Sequence, residues 1–401
     1  MESNKSNLDK LNKYIFENTN INFLLGSGAS VPFLGTLAKI ENWLTDLEKD
    51  TLDNNKKNKL KAFFYKQYFE TAIENNIFVI GKDTDKTLNN DLKKTKENYK
   101  YFFESIKKLI YLRKNQILNK QVNIFTTNID ILNEYVLDEI GFDFNDGFIG
   151  RFNPKYDLSS FRRSYHKESL FFNKTSEVPV FNIYKLHGSI TWKYEKNDIF
   201  FDGSLELISN LRKLKNDLQL PKIDVKKEYK KVKEFIFQHY KNINDENIND
   251  ENINKFIEEY DKLQIINPTK EKFQETVFRK VHYELLRLFA NELEKENSTL
   301  IVIGFSFADE HIREIIIRAL NYNPLLNVFV FDYNGKGVKA IEDEISKIKN
   351  NNLHIIKPDN NEKEYDFNTI NNHFCNILNE IENKNDEKCN SNSIKSEKKD
   401  D

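Results

Sequence analysis

Ile21-Asn22-Phe23-Leu24-Leu25-Gly26-Ser27-Gly28-Ala29-Ser30 joins a short apolar run to a turn of glycine and serine. A compact apolar run bounded by glycine reads as a strand buried on both faces. The glycines that follow let the backbone turn tightly and let another chain or a ligand come close. From Thr36 to Leu47 the apolar residues Leu37, Ile40, Leu44 and Leu47 recur at helical spacing, so the turn is expected to open directly into a helix. Strand, glycine turn and helix form the opening unit of a layered α/β fold.

The same unit recurs outward from this stretch. A second strand candidate, Val122 to Phe125, stops at Thr126-Thr127-Asn128-Ile129-Asp130 and leads into helical Ile131 to Ile140. A third, Val178 to Leu186, stops at His187-Gly188-Ser189, with Ile190 to Tyr194 and Ile199 to Phe201 suited to a hairpin beyond it. Phe273, Val277, Val281, Leu285, Leu288 and Leu293 make one apolar helix face ahead of a strand at Leu300 to Ile303, which enters Gly304-Phe305-Ser306-Phe307. Helix Asp309 to Leu320, strand Val328 to Phe331, helix Val338 to Ile348, strand Leu353 to Ile356 and helix Tyr365 to Ile381 complete the pattern. Strands alternating with helices predict a Rossmann-like, doubly wound parallel sheet built from both ends of the chain. Residues near 54–119 and 204–260 carry helical patterns without strands and read as helical insertions. Within the second, residues 242–254 repeat Asn-Ile-Asn-Asp-Glu, read as a polar surface loop. One domain is expected over residues 1–381, and a charged, disordered tail over 382–401.

Composition narrows the function classes. Lys+Arg number 61 against 63 Asp+Glu, a net charge of -2, so there is no overall electrostatic case for nucleic acid or an anionic membrane. No apolar stretch approaches a bilayer span and the start lacks an apolar leader core, so a soluble cytoplasmic protein is expected. Cys375 and Cys389 exclude a disulfide framework and a four-cysteine zinc site, and the histidines show no metal-ligand spacing.

Ligands of doubly wound sheets bind beyond the carboxyl ends of the strands. Four small, polar segments fall at such ends: Gly26 to Ser30, Thr126 to Asp130, His187 to Ser189, and Gly304 to Asp309. Each has a bland reading. A glycine turn is commonly structural, Asn128 or Asp130 can cap the next helix, His187 can be a half-buried histidine beside Trp192, and Asp309 and His311 can be ordinary helix-start residues. Their convergence is the argument for function, with the Gly26 and Gly28 amides turned toward a pyrophosphate at a helix N-terminus and Ser27 and Ser30 adding donors.

Together, Gly26-Ser27-Gly28-Ala29-Ser30, Thr126-Thr127-Asn128-Ile129-Asp130, Lys185-Leu186-His187-Gly188-Ser189 and Gly304-Phe305-Ser306-Phe307-Ala308-Asp309-Glu310-His311-Ile312 resemble the successive motifs of SIR2-like proteins of bacterial anti-phage systems, and Pro268-Thr269-Lys270 also fits. The resemblance implies an NAD⁺ site. Gly26, Ser27, Gly28 and Ser30 would hold the pyrophosphate, and Asn128 and Asp130 would reach the nicotinamide ribose. His187 would be the catalytic histidine, Gly304 and Ser306 would border the adenosine half, and Asp332 would bind a ribose hydroxyl. It also implies assembly into a homo-oligomer and a partner such as a HerA-like ATPase. Sirtuin deacylases continue with Gly-Ile-Pro-Asp-Phe-Arg where this chain has Gly35-Thr36-Leu37-Ala38, and they carry two CxxC pairs that this chain cannot build.

The expected activity is therefore NAD⁺ glycohydrolysis without a metal, with Asn128 orienting water or ribose and His187 as base. The alternatives are a non-catalytic NAD⁺ or ADP-ribose-binding module and a sirtuin-like acyl or ADP-ribosyl transferase. Asn128→Ala and His187→Ala are each expected nearly to abolish turnover while leaving folding and NAD⁺ affinity largely intact.

Overall fold

The computed structural model describes residues 7–36, 39–83, 85–115, 117–171, 174–218, 220–221, 227–242, 250–266, 276–335, 337–358 and 364–396. Seven strands form one parallel sheet: β1 (Asn20–Leu25), β2 (Gln121–Thr126), β3 (Phe144–Asn145), β4 (Val180–Lys185), β5 (Ser298–Ile303), β6 (Asn327–Phe331) and β7 (Leu353–Ile356), in the order β7-β6-β5-β1-β2-β4-β3. The chain runs from β1 toward β2 and β4, then returns to place β5 on the other side of β1. This reversal is the switch point at which a doubly wound sheet opens a crevice. The fold is Rossmann-like α/β with helical additions, as the alternation predicts.

Strand side chains alternate between two cores, which is why the strands read as unbroken apolar runs. Phe23, Leu25, Ile124, Ile183, Ile301 and Ile303 face one layer, and Leu24, Phe125, Tyr184, Leu300 and Val302 the other. A row of asparagines breaks this apolarity at one level. Asn22, Asn123, Asn182 and Asn145 stand in register on β1, β2, β4 and β3. Asn123 Nδ2 donates to Asn22 Oδ1 at 2.9 Å, and Asn182 Nδ2 to Asn123 Oδ1 at 3.0 Å.

The helices divide differently from the two expected insertions. Lys86–Tyr111 lies inside the first of them, yet it covers the sheet: Phe102 meets Phe23 at 4.9 Å and Phe103 meets Phe181 at 5.1 Å, ring centre to ring centre. It is a layer helix, and its Lys-rich surface hides that role in the sequence. The real addition is a lobe built from both insertions and from Ile40–Lys49. Asn54–Tyr68 packs on Asp250–Tyr260 through a Tyr65–Tyr260 stack at 4.0 Å, and Trp43 Nε1 donates to Lys227 O at 2.9 Å.

The five-residue repeat, expected as loop, runs into the helix Asp250–Tyr260, where Ile253 of its partial third copy is buried. Ile253, Phe256, Ile257 and Tyr260 recur at helical spacing there, and the downstream residues rescue the repeat as a helix start. Residues 243–249 and Pro268-Thr269-Lys270 lie outside the described residues. The last helix, Phe367–Ser396, continues beyond the expected end at Ile381, through a stretch whose Glu and Lys favour helix. Of the expected helix from Val338 to Ile348, one turn at Lys339–Glu342 and a 3₁₀ turn at Ile345–Lys347 form.

Candidate functional site

At the switch point the two glycine loops cross in contact. The Gly26 and Gly28 amides donate to the carbonyls of Ile303 (2.9 Å) and Gly304 (3.0 Å). A Cβ on Gly26 would lie 2.4 Å from Gly304 O, one on Gly28 2.8 Å from Gly304 Cα, and one on Gly304 2.5 Å from the Ala29 nitrogen. These glycines are first of all the condition for two backbones to touch. The turn opens into a four-residue 3₁₀ turn, Ser27–Ser30, and the α-helix begins only at Ile40. The expected helix N-terminus beneath a pyrophosphate is therefore not formed here. Pro32 disfavours helical backbone at Val31 and brings no amide hydrogen of its own. Ser27 and Gly28 are exposed at the mouth, whereas Ser30 is buried.

Beneath this loop lies a closed polar network. Asn128 Nδ2 donates to Gly26 O and Ser30 Oγ, both at 3.1 Å, and its amide donates to Thr126 Oγ1 at 3.0 Å. Ser30 Oγ donates to Asp130 Oδ2 at 2.7 Å and lies 3.1 Å from Tyr99 Oη. Asp130 Oδ1 accepts from the Leu132 amide at 3.0 Å, the capping bond of the bland reading. Burial, and then the charge of Asp130, push the Tyr68 and Tyr99 hydroxyls above the usual phenol range, so both stay neutral in the field of that carboxylate. Lys185, 2% exposed, reaches the carbonyls of Asn128 and Asp130 and pairs with Glu134 at 3.1 Å. Burial raises the Glu134 carboxyl's pKa against the pull of Lys185. Asn128, Ser30, Asp130 and Gly26 are thus brought together, but Asn128 and Ser30 spend bonds on the loop itself.

His187 stands apart from that network, and its partner is Asp309, with Nε2 3.0 Å from Oδ2. The pair links the loops after β4 and β5, which flank β1 and β2 on opposite sides in the sheet. Asp309 also caps the helix Glu310–Tyr322, its Oδ1 accepting from the Ile312 amide at 3.2 Å. The capping reading holds for one carboxylate oxygen while the other serves the histidine. An Nε2–H aimed at Asp309 leaves Nδ1 as the basic nitrogen. Side-chain exposures of 18% and 14% leave the pair reachable from solvent, in a narrow cleft shared with His282 and His311. Phe307, in the same loop, holds a left-handed φ of 61°, a conformation costly for a non-glycine residue.

Of the adenosine-side candidates, Ser306 is exposed and its Oγ accepts from the Ala308 amide at 3.4 Å. Asp332 is fully buried at the end of β6. Its Oδ1 accepts from the Gly337 amide at 2.9 Å, and its Oδ2 has no partner among the described residues. A buried carboxylate oxygen without a donor is costly, and a ligand hydroxyl would satisfy it.

Sequence reasoning passed over Tyr99, Lys185, His282 and the pairing of Asp309 with His187. Lys185 carried a signal, a lysine ending an apolar strand. Tyr99 carried none, because its helix reads as an insertion. Among the described residues no cluster of three or more His, Cys, Asp or Glu side chains is arranged for a metal ion, and no helix is long and apolar enough to cross a membrane. No protein-family model and no curated protein matches the chain.

Proposed function

We propose that the chain is a SIR2-like NAD⁺ glycohydrolase, cleaving NAD⁺ to nicotinamide and ADP-ribose, and that it acts as a cytoplasmic NAD⁺-depleting effector of anti-phage defence. The observation that carries the reading is the His187–Asp309 pair, which joins the loops after β4 and β5 from either side of β1 and β2. It is supported by the unsatisfied Asp332 oxygen three strands from β2 and by the family resemblance of the four loops.

Nicotinamide leaves a cationic ring as a neutral molecule, so the reaction needs no general acid. It needs a stabilised oxocarbenium-like ribose and a water that loses a proton as it attacks. Water oxygen bonds to the ribose C1′, the C1′–N bond breaks with its electron pair going to nicotinamide, and the water proton passes to His187 Nδ1. Asp309 holds the ring and stabilises the imidazolium that results. Asn128 and Ser30 act by shaping the Gly26–Gly28 turn, with Asp130 as a fixed negative charge on the nicotinamide side.

The use of Asn128 Nδ2 on main chain and Ser30 favours a second reading, a module that binds NAD⁺ or ADP-ribose without turnover. Incubation of the purified chain with NAD⁺ and chromatography of the products separates the two. Nicotinamide and ADP-ribose in equal amounts support hydrolysis. Binding by calorimetry with unchanged NAD⁺ would leave the module. A homo-oligomer, and a partner such as a HerA-like ATPase, belong to the same proposal.

A further inference from the structure

His282 lies on the long helix Thr276–Glu294, whose other inward residues, Leu285, Phe289 and Leu293, fill the core beneath the sheet. An aliphatic residue would continue that face. Instead the buried imidazole places Nδ1 2.7 Å from Leu186 O. A carbonyl only accepts, so Nδ1 carries the hydrogen and the tautomer is fixed. Leu186 is the residue before His187, and its own amide donates to Thr126 O at 2.9 Å. The His187 carbonyl accepts from the Ile266 amide at 2.9 Å, and the Gly188 amide donates to Lys185 O at 3.1 Å. The peptide units around His187 are therefore held by four hydrogen bonds, and His282 is the side-chain member of that frame. Its ring centre is 6.5 Å from that of His187, and both line the cleft that Asp309 and His311 share.

We propose that His282 is a positioning residue for His187: its Nδ1–H bond to the Leu186 carbonyl sets the main chain from which His187 reaches Asp309. The inference rests on the glycohydrolase reading for its kinetic test and on geometry alone for its spectroscopic one. A side chain misplaced by about 1 Å can cost up to roughly 10²-fold in rate, so loss of this bond acts on kcat more than on KM.

Two substitutions in the full chain separate positioning from packing. His282→Leu keeps an apolar filler and removes the donor, whereas His282→Asn is smaller but puts an amide N–H close to the place of Nδ1. Positioning predicts that His282→Leu lowers kcat by about 10-fold to 100-fold with KM little changed, and that His282→Asn recovers most of the loss. Packing predicts the reverse order. The His187 ring resonances, recorded by NMR on ligand-free protein, are expected to shift in His282→Leu and to return toward the parental positions in His282→Asn. Parental His187 resonances in a folded His282→Leu variant would overturn the proposal whether or not the parent cleaves NAD⁺. Absence of cleavage by the parent would instead overturn the glycohydrolase reading, leaving the NMR comparison to decide the role of His282.

Discussion

His187 and Asp309, 122 residues apart in sequence, meet at 3.0 Å across the loops that end β4 and β5. The two oxygens of Asp309 have separate duties, one to the imidazole and one to the Ile312 amide. Asp309→Asn keeps a side chain that caps well and removes the charge that supports an imidazolium. It is expected to lower NAD⁺ cleavage by about 10²-fold to 10⁴-fold with the melting temperature nearly unchanged, and His187→Ala to do the same. Steady-state kinetics with thermal melts on both variants test this. Parental turnover in a folded His187→Ala chain would remove the histidine from the mechanism.

Gly304→Ala is expected to damage the fold before it damages the chemistry. The new methyl would meet the Ala29 nitrogen at 2.5 Å, and the position has a φ of 65° that alanine adopts at a cost. The next nearest atoms, Gly28 C and Cα, are backbone as well, so nothing flexible can give way. A loss on the order of 1–3 kcal/mol is expected. Urea unfolding measures it, and an unchanged midpoint would contradict the crossing of the two loops.

The alternation of apolar runs and helical spacings made the parallel sheet legible, because strands buried on both faces have no polar side to blur the signal. Gly26 and Gly304, at opposite ends of the sequence, meet as neighbours in that sheet. What escaped was partnership at a distance. Nothing local to Asp309 shows that its second oxygen faces His187, and nothing local to Tyr99 shows that it closes over Ser30. The division of the helices was misread for a related reason: Lys86–Tyr111 and Asn54–Tyr68 look alike by composition. Only packing shows that one covers the sheet and the other meets Asp250–Tyr260.

Asn128→Ala is expected to lose stability as well as activity, contrary to what the sequence alone suggests. The truncation withdraws donors from Gly26 O and Ser30 Oγ inside a buried network, at a cost of about 1–3 kcal/mol. Gly26 O keeps a second donor, the Ala29 amide at 3.0 Å, so the loop is loosened and not lost. Denaturant titration beside NAD⁺ binding decides the matter. A variant as stable as the parent and inactive would return Asn128 to a direct role at the substrate.

The remaining prediction concerns acid stability and lies far from the cleft. His354 on β7 is buried against Phe329, with ring centres 4.8 Å apart. Its Nδ1 accepts from Lys10 Nζ at 3.5 Å, and its Nε2 faces Asn327 Oδ1 at 3.4 Å. Burial, and then the charge of Lys10, lower its pKa from 6.5 to about 4. The folded chain therefore keeps this imidazole neutral where the unfolded chain already binds a proton. Stability is fully present above the unfolded pKa near 6.5 and is lost as pH falls through that value toward 4. The loss is on the order of 1–2 kcal/mol after allowance for solvent screening. His354→Gln keeps an amide near Nε2 and cannot titrate. Its urea midpoint is expected to fall less steeply than the parent's between pH 6.5 and 4. Parallel curves for the two proteins would show that His354 is not the group responsible.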